Sequence, residues 1–571
     1  MQIPRPEYPR PQFARPDWIN LNGKWGFETD NGVSGRARGM ANAEKLSGEI
    51  IVPFCPESKL SGVANVDFMR CVWYRRVFTP PDGWRADGRR TLLHVGACDY
   101  ETEAWVNGKS VGTHRGGYVT FSFDITDAMA DGENVISICA EDDTRDPMQP
   151  SGKQSERYES HGCHYTRTTG IWQTVWLENV PDVYISEVRY TPLIDMSALM
   201  IEADCKNANG KTLEAIAYFG AGGAAETNDI CGRVIQGRAS GVVSGGRATL
   251  MLPVKNLHLW DIGAPNLYDL TLTLENDVVE SYFGMRSVAA EGGRLLINGK
   301  PIFQKLILDQ GFYPDGIYTA PSDEALKNDI KLSMDMGFNG ARLHEKIFEP
   351  RFLTHCDRMG YIVWGEYPNW GLDITKPGAW RSFLPEWEEA VRRDYCHPAI
   401  IGWCPFNETP KNQDPALLIA AAALTRALDR TRPLIDTSGY YHVEGVSDII
   451  CAHDYEQDPA IFRERYDKLA FGPVNCGHKE HDEQYAFLSE YGGIWWSESD
   501  PDGWGYGKRP ASLAEVIERF RGLTEALLEN PNIHGLCYTQ LTDVEQEQNG
   551  LYTYHRVPKM DPSIIRAILN K

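Results

Sequence analysis

The sequence predicts a multidomain fold, with two all-β domains in its first half and an α/β barrel in its second. Three observations carry this. Up to Gly292-Gly293, apolar residues alternate in short runs between Gly, Pro and Asp turns, as strands of β-sandwiches do. Beyond that point, continuous apolar runs of strand length alternate with helical patterns, the signature of βα units. At 571 residues the chain also exceeds what one hydrophobic core can serve.

The totals bound the function. A hydrophobic content of 42% and a charged content of 24% are ordinary for a globular protein. A net charge of -22 argues against nucleic acid and anionic membrane as partners, because both require a basic footprint. It suits small neutral substrates, although a local basic pocket can still hold an acidic one. The start, Met1-Gln2-Ile3-Pro4, lacks the apolar core of a signal peptide, and no window reaches the roughly 20 apolar residues of a membrane span. The 13 cysteines form an odd set without CxxC spacing. Several lie in apolar runs (Cys404, Cys451, Cys537), where a free thiol behaves as a small hydrophobe. A reduced, cytoplasmic protein is expected.

Taken in order, residues 1–183 read as a jelly roll. Its strands are Lys24 to Glu28, Val72 to Phe78, Arg90 to Val95, Glu101 to Val106, Val119 to Asp124 and Asn134 to Ala140, and Asn107-Gly108 marks a tight hairpin. Residues 184–287 have the size of an immunoglobulin-like sandwich, with strands at Tyr184 to Tyr190, Met200 to Ala203, Arg247 to Val254 and Tyr268 to Leu274. Residues 288–571 hold eight strand-like runs, the number in one (β/α)8 barrel. They are Ile302 to Leu308, Asn339 to Leu343, Tyr361 to Trp364, the run at Ile400, Leu434 to Thr437, Ile449 to Ala452, Tyr485 to Gly493 and Gly535 to Gln540. Helices are expected from Ser322, around Pro350 to Met359, near Pro385 to Tyr395, from Pro415 to Asp429 and after Ser512, where Ser512 and Glu515 form a capping box.

Two of the barrel runs end in carboxylates: Ile400 to Phe406 leads into Asn407-Glu408, and Phe487-Leu488-Ser489 into Glu490. Barrel enzymes place their chemistry where such strands end. Two carboxyl groups facing each other across a barrel mouth can cleave a glycosidic bond: one attacks the anomeric carbon, and the other protonates the leaving oxygen and then deprotonates water. Retention of configuration needs them roughly 5–5.5 Å apart. Glu490 is assigned as nucleophile and Glu408 as acid/base; the bland alternative is a pair of strand-capping salt bridges.

The chain resembles glycoside hydrolase family 2, the family of β-galactosidases, β-glucuronidases and β-mannosidases, over nearly its whole length. The resemblance runs through Arg15-Pro16-Asp17-Trp18, Val111-Gly112 to Gly117-Tyr118, Gly170-Ile171-Trp172-Gln173, Phe283-Gly284-Met285-Arg286, Asn298-Gly299-Lys300-Pro301, His397-Pro398 to Asn407-Glu408, and Ser489-Glu490-Tyr491-Gly492. It implies that Asn407 bonds the sugar 2-hydroxyl, and that Arg342 and His344 support the nucleophile and touch the sugar. One residue fewer than usual separates Arg342 from His344, which leaves a structural histidine open. Tyr455 stands to restrain the nucleophile or simply to pack. Asp309 and Asp543 end strands and are candidates for substrate hydroxyls, with surface salt bridges as the commoner case. Trp495 and Trp496, with Trp370, Trp504 and Tyr506, crowd the mouth and offer stacking faces to a sugar. The loop Gly503 to Gly507 has the composition of a mobile lid. No redox or organic cofactor is expected; a Mg2+ ion and oligomerisation are implied by resemblance only.

For the sugar, the resemblance implies an Asn-x-Lys motif in glucuronide-cleaving members. Here Glu547-Gln548-Asn549 stands before Gly550-Leu551-Tyr552-Thr553, and a glutamate repels a uronate. Phe406 replaces one of the two asparagines usual in β-mannosidases. Elimination therefore leads to a β-galactosidase, with an α-L-arabinopyranosidase also open. A rival of another class, a non-catalytic carbohydrate-binding protein, is disfavoured by the presence of both Glu408 and Glu490. The polar stretch Arg145 to Glu156 has the length to reach the barrel mouth of its own or a neighbouring subunit.

Overall fold

The computed structural model describes residues 3–571 apart from 87, 222–232, 472–485 and 499–501; Tyr485, the expected start of the seventh barrel strand, therefore lies outside the described residues. The jelly roll packs two antiparallel sheets face to face. One runs in the order Trp18–Asn20, Val175–Val180, Arg90–Val95, Phe121–Asp124. The other has six strands and centres on Cys71–Phe78 and Asn134–Glu141. Alternate side chains face inward, so Trp25, Phe27, Tyr74, Leu93, Val106, Ile136, Ile138 and Leu177 fill one core. Asn107 and Gly108 adopt φ of 50° and 76°, the double left-handed turn that joins Val106 to Lys109.

The second sandwich has a three-stranded and a four-stranded sheet. Asp277–Phe283 was not among the expected strands, nor were the paired Thr212–Ala221 and Arg233–Val242. Their Ala and Gly residues carry too little apolar contrast to show a period of two. A buried Arg15 welds the domains: Nε stands 2.8 Å from Asp277 of this sandwich and Nη1 3.1 Å from Glu178 of the jelly roll. From the same sandwich, Arg286 donates to the carbonyls of Pro398 and Ile400 at 2.5 and 2.7 Å, gripping the base of the fourth barrel strand.

Seven parallel strands form one curled sheet in the order Ile400–Cys404, Ile362–Glu366, Gly340–Leu343, Gln304–Asp309, Gly535–Thr539, Phe487–Gly492, Cys451–Asp454. The fifth strand of the barrel is reduced to a bridge between Trp403 and Leu434 and the pair Phe406–Asn407 with Thr437–Ser438. The sixth, Cys451–Asp454, ends two residues later than the expected Ala452, because the buried polar His453 and Asp454 extend it past the apolar run. The third helix spans Ala379–Asp394, starting well upstream of the predicted Pro385, which lies inside it. Ser322 and Ser512 cap their helices as the sequence implies, accepting from the N–H groups of Ala325 and Glu515. No helix among the described residues is long and apolar enough to cross a membrane.

Candidate active site

Glu408 and Glu490 reach the mouth by two different local devices. Strand four is buried throughout, and Phe406–Asn407 continues it against Thr437–Ser438. Glu408 then turns out of the strand with φ of 50°, a left-handed conformation that costs a non-glycine residue about 1 kcal/mol or more. Its N–H donates to the Ser438 carbonyl at 2.9 Å and fixes that turn. Glu490 lies within strand seven, where the pairing with strands six and eight slips register on both sides. Such irregularities re-aim side chains. His453, on strand six, stands between the two carboxylates. Its Nδ1 is 2.7 Å from Glu408 Oε1 and 3.4 Å from Glu490 Oε2. The ligand atoms of these three residues lie within 4.8 Å of one another, as close as a retaining pair requires.

Glu490 is surrounded by donors. Arg342 Nη1 donates to it at 2.9 Å and the Tyr455 hydroxyl at 2.5 Å, while His344 Nδ1 stands 4.0 Å away. Burial alone would push this carboxyl up, but His453, Arg342, His344 and Tyr455 outweigh it and bring it down to about 2. The guanidinium is itself immobilised. Nε donates to Glu366 at 2.7 Å, Nη1 to the Ser489 carbonyl at 2.7 Å and Nη2 to Asn407 Oδ1 at 3.1 Å. Glu366, at the end of strand three, is thus the anchor of this guanidinium. Among the described residues, Asn407 keeps its Nδ2 buried and without a partner, while its N–H donates to Asn369 at 2.6 Å. A buried amide donor left open beside the two carboxylates is an invitation to a substrate oxygen. His344 bonds Glu366 through Nδ1 at 3.1 Å, and burial holds its imidazole well below the usual range.

The other expected site residues separate. Asp309 accepts from the Gly311 N–H and neighbours Asp329, Arg556 and Lys346; burial pushes it up to about 6. Asp543 is taken by Lys559 at 2.6 Å and by the Gly550 N–H at 2.9 Å. Neither bonds Glu408, Glu490 or Asn407. Trp495 and Trp496 lie under Arg509, at 5.6 and 5.9 Å, and Trp495 Nε1 is buried without a partner. Tyr506 stacks on Tyr455 with ring centres 3.4 Å apart. The loop Gly503 to Gly507 is pinned on both sides, contrary to a free lid. Trp504 donates from its N–H to Gln546 and from Nε1 to the Gly162 carbonyl of the jelly roll, and Tyr506 N–H bonds Gly493.

The jelly roll completes the wall of the mouth in its own chain. Ser151 and Gly152 donate their N–H groups to the Trp370 carbonyl at 2.8 and 3.0 Å. Lys153 Nζ sits 3.6 Å above the centre of the Trp370 ring. Tyr165 donates its hydroxyl to Glu547, whose other oxygen accepts from Asn549 at 2.9 Å. Both oxygens of Glu547 are therefore engaged within the protein. Those two hydrogen bonds spread the charge of Glu547, and Lys153 opposes it, which weakens the repulsion expected between this carboxylate and a uronate. Lys153, Tyr165 and His453 were missed as site residues because nothing local marks them; only the Arg145 to Glu156 stretch was singled out.

A metal beside the acid/base finds no suitable cage. Among the described residues the one cluster of three potential ligands is Glu408, His453 and Glu490. A Mg2+ ion prefers oxygen ligands in octahedral geometry, and one held here would occupy both carboxylates and the space between them. These residues do not fit it.

Two carboxylates across the mouth of a (β/α)8 barrel, one clamped by an arginine and a tyrosine, are the arrangement of a glycoside hydrolase. Family comparisons agree and narrow the class. Residues 62–181 match the sugar binding domain of glycosyl hydrolases family 2, residues 183–286 its middle domain, and residues 288–493 its TIM barrel domain. The chain belongs to glycosyl hydrolases family 2, whose enzymes hydrolyse glycosidic bonds. Among curated relatives, a β-galactosidase of Thermoanaerobacter pseudethanolicus is 25% identical over 407 residues, which are 68% of this chain and 51% of that protein. The β-glucuronidase of Felis catus is 27% identical over 434 residues, 68% of this chain and 63% of the relative. The matched region thus spans about half to under two thirds of these relatives. Among solved structures, a β-glucuronidase from an uncultured Clostridium superposes with a TM-score of 0.80 at 20% identity, covering 98% of both chains. The β-glucuronidase of Ruminococcus gnavus in complex with D-glucuronic acid gives 0.78 at 18% identity, covering 99% of this chain and 100% of its own. Proteins named β-glucuronidase recur in both comparisons. The expectation of a β-galactosidase, reached by elimination, is overturned by that pattern.

Proposed function

We propose that this chain is a retaining, exo-acting β-glycosidase that hydrolyses β-glucuronides. The observation that carries the mechanism is the Glu408–His453–Glu490 cluster, with both carboxylates within 4.8 Å of a shared imidazole. Glu490, kept ionised by Arg342 and Tyr455, attacks the anomeric carbon as the bond to the aglycone breaks. Glu408 gives its proton to the leaving oxygen. The resulting carboxylate then takes a proton from water, which displaces Glu490 from the sugar. Asn407 Nδ2 holds the sugar 2-hydroxyl, and Arg342 keeps the nucleophile aligned rather than reacting itself. His344 acts through Glu366, and Trp495 and Trp496 stand as aromatic wall. The preference for a uronic acid is supported by the recurrence of β-glucuronidases among the relatives and by a buried lysine at the mouth.

The test is hydrolysis of a panel of nitrophenyl glycosides, with the first-formed anomer read by NMR. Release of β-glucuronic acid from the β-glucuronide, ahead of its neutral counterparts, is the expected result. An α-anomeric first product would sink the retaining mechanism, and indifference to the carboxylate would sink the sugar. We place the domain boundaries at 183/184 and 287/288, in keeping with where the family segments change. A cytoplasmic home suits the thiols: eleven described cysteines are unpaired and nine of them are buried.

A further inference from the structure

Lys153 carries a positive charge into the mouth that the chemistry above does not use. The residue is only 5% exposed. Its ammonium rests on the Trp370 ring and makes no hydrogen bond or ion pair among the described residues. A cation drawn this far from water is costly unless an anion or strong acceptors meet it. Its placement is enforced by the backbone. Gly152 adopts φ of 56°, and a Cβ there would lie 2.5 Å from the Glu345 carbonyl oxygen. With the two N–H bonds to Trp370, this close approach fixes the backbone beside the tryptophan, over whose ring the Lys153 ammonium lies.

The ammonium also lies close enough to several ionisable groups to interact with their charges. They include Cys163, Glu547, Glu490 and Glu345, together with His344 and His164. The carboxylates among them have protein partners. Glu490 is held by Arg342 and Tyr455, Glu547 by Tyr165 and Asn549, and Glu345 accepts from the Trp370 N–H at 3.0 Å. Two further cations are already engaged: Arg342 by Glu366 and Glu490, and Arg509 by the Ser497 carbonyl at 2.5 Å and two tryptophan faces. Glu547, Glu490 and Glu345 favour the charge on Lys153 from a distance, yet among the described residues none stands within ion-pair reach of its ammonium.

We infer that Lys153 reads the charge of the sugar, its ammonium pairing with the carboxylate on C5 of a bound uronoside. The inference rests on the uronide reading above and gives it a residue. A loop of the jelly roll supplies the cation at the point where the loop after strand eight has Glu547 and Asn549. Trp370 beneath the ammonium steers it by cation–π attraction while leaving its three N–H groups available.

The experiment compares two substrates that differ only at C5, p-nitrophenyl β-D-glucuronide and β-D-glucoside, with wild type, K153M, K153Q and K153R. The galacturonide and galactoside pair is run alongside so that stereochemistry at C4 does not decide the outcome. Loss of at least a hundredfold in kcat/KM on the uronide, with less than threefold change on the neutral sugar, is the expected result for K153M and K153Q. K153R restores part of the uronide preference. If K153M does not fold, K153Q carries the same comparison. An equal loss on both members of a pair overturns the inference and makes Lys153 a hydroxyl ligand or a packing strut. If wild type prefers uronides and the neutral variants keep that preference, the lysine assignment alone fails. If wild type prefers the neutral sugar in both pairs, the uronide reading fails and takes the inference with it.

Discussion

Replacing Glu490 with alanine tests the centre of the mechanism, and the surroundings of this residue set the size of two separate effects. The chemical effect is loss of the nucleophile, expected to cost at least a thousandfold in kcat, about 4 kcal/mol. The structural effect is smaller. Removing one member of a buried ion pair costs about 3–5 kcal/mol when the partner is left alone. Arg342, however, keeps Glu366 at 2.5 Å and the Ser489 carbonyl at 2.7 Å. Destabilisation at or below the lower end of that range is therefore expected, and the variant should remain folded. The assay is nitrophenol release from the glucuronide with and without sodium azide. Azide entering the space left by Glu490 attacks from the nucleophile's face, restores turnover and yields the α-glycosyl azide. In Glu408→Ala, a dinitrophenyl leaving group departs without a proton, and azide then attacks the glycosyl-enzyme from the opposite face, yielding the β-azide. Exchanged anomers would reverse the two assignments. A Glu490→Ala enzyme that keeps a tenth of wild-type activity without azide would refute the reasoning altogether.

Asn407→Ala should lower kcat/KM by roughly a hundredfold or more, since hydrogen bonds at the 2-position supply several kcal/mol in the transition state. With a 2-deoxy substrate the same variant should show little further loss, and a full loss there would place Nδ2 elsewhere. Arg15→Leu removes a guanidinium shared by Asp277 and Glu178; about 3–5 kcal/mol of stability should disappear, read as a large fall in denaturation midpoint, and an unchanged midpoint would show the weld to be idle. Glu386, buried against the Tyr118 N–H and the Tyr367 hydroxyl, is pushed up from 4.5 to about 7 by burial. Its folded pKa lies above the unfolded one, so its contribution is full below pH 4.5 and is lost as pH rises through 7, by about 3 kcal/mol. Glu386→Gln should flatten that decline in Tm between pH 5 and 8.5, and an unchanged slope would acquit this carboxyl.

Much of the barrel was legible because its strands are continuous apolar runs, and a run that stops in Asn407-Glu408 or Ser489-Glu490 announces both a strand end and a chemical group. The weaker readings failed for local reasons. The sixth strand continues through His453 and Asp454, whose polarity hid it. The third helix carries Pro385 inside it, which drew the predicted start downstream. Asp543 looks like a site acid in sequence, yet Lys559 is the partner it finds in space.

The sequence by itself determined the order of domains, the barrel and the two carboxylates, because strand periodicity and strand ends are properties of neighbouring residues. Which groups surround those carboxylates was decided only by tertiary structure. Lys153 and Tyr165 come from another domain, Arg342 finds Glu366 and Glu490 from two further strands, and Glu547 finds Tyr165. The charge felt at a site depends on distances between residues far apart in the chain, and no local pattern encodes those distances.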